Sequence, residues 1–77
     1  MGKSQAYQIS QKAIADLKFA IYMILELHNG DGLKNSEIGR ALGIYTGHEG
    51  HISRTLLAIM EEEGVVQQNE DKTWILS

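Results

Sequence analysis

The side chains best equipped for chemistry are gathered between Thr46 and Thr55: Thr46-Gly47-His48-Glu49-Gly50-His51, then Ser53, Arg54 and Thr55. Two histidines around a glutamate suggest metal ligation. The HExxH zinc signature, however, needs two residues between the glutamate and the second histidine, and here only Gly50 intervenes. With no cysteine in the chain and no third ligand nearby, neither a metal nor another cofactor is expected. Catalysis is not expected either. No nucleophile has an adjacent base, no glycine-rich phosphate loop follows a strand, and no carboxylates converge. Glu61-Glu62-Glu63 is an acidic run at a helix end, the pattern of a solvated face. The chain is also too short to enclose a pocket of ordinary size. What remains is a cluster of hydrogen-bonding groups suited to recognition.

The elements that must position this cluster are legible from apolar spacing. Residues 1–9 are polar around Ala6 and Tyr7 and read as an arm or an extra helical turn. A first helix is expected from Ser10, an available N-cap, because Ile14, Leu17, Ile21, Ile24 (or Leu25) and His28 recur every three or four residues. Asn29-Gly30 and Asp31-Gly32 tolerate positive φ and end it, with His28 interacting with its last carbonyls. Leu33-Lys34 is then a short extended piece. A second helix follows from Asn35 or Ser36 to Leu42, with Asn35 as N-cap and Gly43 closing it; Ile44 packs back into the core.

The third helix is expected over about 46–63. Thr46 and Glu49 have capping-box spacing, and Gly64 supplies the stop. A turn of about 100° per residue places Ile52, Leu56, Met60 and part of Ile59 inward, flanked by Leu57 and Ser53. It places Gly47, His51, Arg54 and Ala58 outward, with Thr55 at the edge. Val65–Gln68 and Thr73–Leu76 read as two strands joined by Asn69-Glu70-Asp71-Lys72, and Trp74 is expected in the core. The fold class is α+β, mostly α: one domain over residues 10–77 with three helices and a C-terminal hairpin.

Seventy-seven residues with 43% apolar and 22% charged side chains suit a small globular domain rather than a disordered chain. The longest apolar run, Phe19 to Leu25, falls far short of the roughly 18 residues that suggest a membrane span. No membrane partner is expected, and a cytoplasmic location is. The first helix carries more apolar surface than one core face uses. Phe19, Tyr22 and Met23 lie partly off its stripe and form a candidate homodimer interface, which Tyr7 and Ile9 could extend.

Three stretches, Ser36 to Ile44, Ile52 to Leu57 and Met60 to Val66, together with the order of elements, resemble the winged helix-turn-helix superfamily of small DNA-binding domains. The stretch Tyr45 to His51 departs from that pattern by about one extra helical turn. The resemblance implies double-stranded DNA as partner, with the third helix in the major groove and the hairpin as wing. The implied contacts are His48, Gly50, His51, Ser53, Arg54 and Thr55 on that helix, Ser36 and Arg40 on the second, and Lys72 on the wing. Arg54 would bond guanine or phosphate, and glycine would allow close approach to the backbone. A transcription regulator or the recognition module of a restriction-type DNA-processing system is the expected role. The net charge of −3 weighs against tight DNA binding, yet it is unevenly placed. Residues 61–77 hold five acids and one lysine, whereas residues 37–60 balance two arginines against two glutamates. The acidic balance leaves an alternative, a winged helix that contacts a larger protein instead of DNA.

Overall fold

The computed structural model describes residues 2–28, 30–45 and 50–77. Among them the chain forms α1 (Lys3–Leu27), α2 (Asn35–Ala41), α3 (His51–Glu62), β1 (Val66–Gln68) and β2 (Trp74–Leu76). This is the α+β winged helix-turn-helix layout. No helix among the described residues is long and apolar enough to cross a membrane.

The first helix starts seven residues earlier than Ser10 suggested. Nothing between Lys3 and Ser10 breaks a helix, since Lys, Gln and Ala are good helix formers. The side chain of Gln5 accepts the Gly2 N–H at 3.0 Å and closes the N-terminus. Ser10 lies inside the helix and donates its hydroxyl proton to the Tyr7 carbonyl. Only the C-terminal half packs on the body: Ile21 and Leu25 are buried and Ile14, Leu17 and Tyr22 half-buried, whereas every residue from Lys3 to Ala13 is exposed. His28 ends the helix through its backbone N–H, which donates to the Leu25 carbonyl at 3.2 Å.

The second helix begins at Asn35, within the expected bounds, but its cap is one residue earlier than expected. Lys34 holds the cap position, and its N–H donates to the Glu37 carboxylate at 2.8 Å. Asn35 therefore sits in the first turn, and its side-chain amide bonds to the start of α3. The C-termini of α2 and α3 close in the same way. Gly43 and Gly64 bond back to the Arg40 and Glu61 carbonyls, and Ile44 and Val65 bond to Gly39 and Met60. Gly64 holds φ +79°, which a residue with Cβ resists, so the helix stops where its sequence indicates.

The third helix differs from expectation at both its start and its face. It begins at His51, because Gly50 is left-handed (φ +70°, ψ 37°) and no α-helix runs through that conformation. The Thr46–Glu49 capping box lies outside the described residues. The buried face is Ser53, Leu56, Leu57 and Met60, while Ile52 and Ile59 remain 44% and 39% exposed. The helix is rotated so that Ser53, not Ile52, meets α2. Gly39 permits this approach: a Cβ there would stand 3.0 Å from the Ser53 hydroxyl.

β1 and β2 pair antiparallel, Val66 opposite Leu76 and Gln68 opposite Trp74. Each is one residue shorter than expected. The hairpin is tied to the body by Leu33, which exchanges two backbone hydrogen bonds with Trp74, at 3.1 and 2.7 Å. The core forms where Ile21 and Leu25, Ile38, Leu56 and Leu57, Val66 and Trp74 converge. Every element contributes to it, which fixes the hairpin against the helices.

Candidate nucleic-acid interface

The start of α3 is held by a small polar network. The Ser53 hydroxyl lies 2.7 Å from the side-chain Oδ1 of Asn35 and 3.1 Å from the Gly50 backbone carbonyl, and Asn35 Nδ2 donates to the same carbonyl at 3.2 Å. Ser53 is 0% exposed, so these bonds replace the water it gave up on folding. The network joins the first turn of α2 to the first turn of α3. It sets the angle at which α3 presents its outer side.

Beside that junction lies an open groove of about 660 Å³. It is lined by Lys34, Asn35 and Ser36 at the start of α2, by Tyr45, by Arg54 of α3, and by Gln68, Lys72 and Trp74 of the hairpin. Three cations from three distant parts of the sequence thus face one space, and no carboxylate among the described residues lines it. The nearby acids have partners of their own, and the Glu37 carboxylate accepts the backbone N–H of Lys34 at 2.8 Å. Asp71, next to Lys72, accepts the O–H and the N–H of Thr73, and these bonds, with a smaller effect of the Lys34 charge, hold its carboxyl below the ordinary aspartate range. Glu63 pairs with Lys18 of α1 at 2.9 Å. Glu61 lies about two helical turns beyond Arg54. The lining of the groove is therefore more basic than the net charge of −3, with Glu37 and Asp71 standing near Lys34 outside it.

The expected contact residues separate into groups. Arg54, Ser36 and Lys72 share the groove. Arg40 lies at its edge, its guanidinium 4.7 Å from the centroid of the Tyr45 ring. His51 and Thr55 are exposed on the outer side of α3 but border a second, apolar depression formed with Ile14, Leu17, Ile52 and Ile59. Two assignments need correction. Ser53 is sealed between α2 and α3 and has no surface to offer. Gly50 is buried, and a Cβ on it would fall 2.7 Å from Asn35 Nδ2 and 3.0 Å from the Tyr45 ring. Its missing side chain serves internal packing, not approach to a ligand. His48 lies outside the described residues.

Sequence reasoning missed Lys34, Asn35, Tyr45, Gln68 and Trp74 as groove residues. Lys34 and Asn35 had a visible signal, their place at the start of α2. Gln68 had only strand alternation, and Tyr45 none. On the outer side of α1, Phe19 and Met23 are exposed as expected for an interface. Tyr22 is half-buried against the core, and its ring stacks with that of Phe19 at 6.5 Å between centroids.

No family model, curated protein or solved structure matches the chain. The chemistry of the groove must speak for itself. Amide, hydroxyl, guanidinium and ammonium groups on a concave face can hydrogen-bond and neutralise a polyanion. Among the described residues no three His, Asp or Glu side chains gather as metal ligands.

Proposed function

We propose that this protein binds double-stranded DNA as a winged helix module, either as a small transcription regulator or as the recognition part of a restriction-type DNA-processing system. One observation carries this reading: Lys34, Arg54 and Lys72, from the approach to α2, from α3 and from the wing, line a single groove without a described carboxylate. The outer side of α3, with His51, Arg54 and Thr55, enters the major groove in this arrangement, and Lys34, Ser36 and Lys72 meet flanking phosphates. The module binds rather than catalyses.

Selection of bound duplexes from a random pool tests the proposal, and enrichment of a common motif is the expected result. Arg54→Ala should then weaken binding to the selected duplex by about 1–3 kcal/mol if the guanidinium contacts a base. An affinity unchanged by that substitution would remove Arg54 from the interface.

A second reading, a protein-contact module, is favoured by one feature. Ile52 and Ile59 are exposed on α3 beside His51 and Thr55, where a DNA-reading helix ordinarily carries polar groups. Failure of any duplex to be enriched, with Ile59→Lys abolishing capture of a protein partner, would favour that reading over DNA.

A further inference from the structure

The outer side of α1 carries a second pattern, separate from the groove. Ala6, Ile9, Ala13, Asp16, Ala20 and Met23 recur at spacings of three and four, the 3.5-residue period of a coiled-coil seam. Ile9 is 57% and Met23 50% exposed, Ala6 and Ala13 lie on the projecting half of the helix, where no described residue covers them, and Ala20 is half-buried. This stripe differs from the core-facing one, which runs through Ile14, Ile21 and Leu25.

The order of residue sizes along the stripe selects an occupant. The spacing is unchanged when the helix is reversed, so an antiparallel copy can align the same six positions with themselves. Ala6 then faces Met23, Ile9 faces Ala20, and Ala13 faces Asp16. Each small residue meets a larger one, which is how a close helix pair fills space without voids. A parallel copy instead sets Ala6 on Ala6 and Ala13 on Ala13, leaving gaps, and crowds Met23 on Met23.

Charge selects the same orientation. Lys12, beside the stripe, is paired within the helix at 3.0 Å with Asp16, which belongs to it. In the antiparallel alignment each Asp16 comes level with Lys12 of the other copy, so four charges alternate around the two-fold axis. In the parallel alignment Asp16 meets Asp16 and Lys12 meets Lys12, which is repulsive.

We propose that the protein forms a homodimer by antiparallel pairing of α1 along this stripe, with the two-fold axis near Ile14 and Ala15. The projecting half of each α1 lies beside the half of the other that carries the folded body. The isologous contact is closed and adds no further copies. Phe19 flanks the seam, and Tyr22 takes no part.

Sedimentation of the full chain across the micromolar range tests this, with a species of about twice 8.6 kDa expected. Ala13→Glu places two further carboxylates beside Asp16 at the axis and should leave only the 8.6 kDa species, still with a cooperative melt. A wild-type monomer throughout that range, or a variant that remains dimeric, overturns the proposal. Orientation is read separately, because the chain has no cysteine of its own. A mixture of Ile9→Cys and Ala20→Cys chains should form a mixed disulfide on mild oxidation, while neither links to itself. Self-linking of Ile9→Cys chains, or no mixed product, overturns the antiparallel seam.

Discussion

Gly50 shows how one residue can look like a contact and be a hinge pin. Its φ of +70° ends the chain's approach to α3, and its carbonyl receives hydrogen bonds from both Asn35 and Ser53. A methyl group there would crowd Asn35 and Tyr45 in addition to straining the backbone. Gly50→Ala is expected to lower stability by about 1–3 kcal/mol, read as a lower denaturant midpoint at unchanged slope. Gly30→Ala is the control. Gly30 also has positive φ (+88°), but a Cβ there would meet nothing within 4 Å. Gly30→Ala should therefore cost only the backbone strain, about 1–2 kcal/mol. Equal losses at the two sites would mean that the packing around Gly50 contributes nothing. Ser53 and Arg54 make the same point by contrast. They are adjacent in sequence, yet a rotation of about 100° seals one between helices and leaves the other in the groove.

At the scale of elements, the wing owes its shape to its turn. Asn69 and Thr73 close it with a backbone bond of 2.7 Å, Lys72 takes φ +74°, and Asp71 caps Thr73. Because Asp71 is held below its ordinary range in the folded chain, its contribution is present at neutral pH. The contribution is lost as pH falls through that lowered value. Exchange-protected signals of the turn should stay constant from pH 7 to about 5 and weaken only in more acid solution, in the usual range of carboxylate titration or below it. In NMR titration the Thr73 amide shift should follow this transition. Asp71→Asn should abolish it, and persistence of the transition in that variant would assign it to another carboxylate. The hairpin was legible from its two β-rich runs and four-residue polar connection. Its anchoring was not. Leu33 joins Trp74 across forty residues of sequence, and only the packed chain brings their backbones together.

For the whole molecule, the distribution of charge matters more than its sum. A polyanion meeting the groove would displace counterions from phosphates near Lys34, Arg54 and Lys72. At about −0.9 per neutralised phosphate, the log–log dependence of affinity on salt should have a slope near −2 to −3 per chain. Fluorescence anisotropy of a labelled duplex between low and physiological salt measures it. A slope near zero would mean that the three cations do not face phosphate. Two chains joined through α1 would carry two such grooves related by a two-fold axis, and the slope per dimer would double.

What local sequence determined is what short-range interactions decide. α2 and α3 stop at Gly43 and Gly64 because those positions require positive φ, and the hairpin follows from strand-forming runs around a polar turn. The helical nature of residues 10–27 and 51–62 follows from apolar spacing. Apolar spacing locates a stripe but does not say which part of it faces inward. In α3 that was decided by α2, whose Gly39 and Asn35 receive Ser53 and so leave Ile52 and Ile59 outside. The helical state of Lys3 to Ser10, open in a reading by composition, came from the continuity of the helix behind it. The groove lay furthest from local sequence. Lys34, Arg54 and Lys72 are about twenty residues apart from one to the next, and no local rule joins them. They meet because one core packs the approach to α2, the start of α3 and the wing side by side.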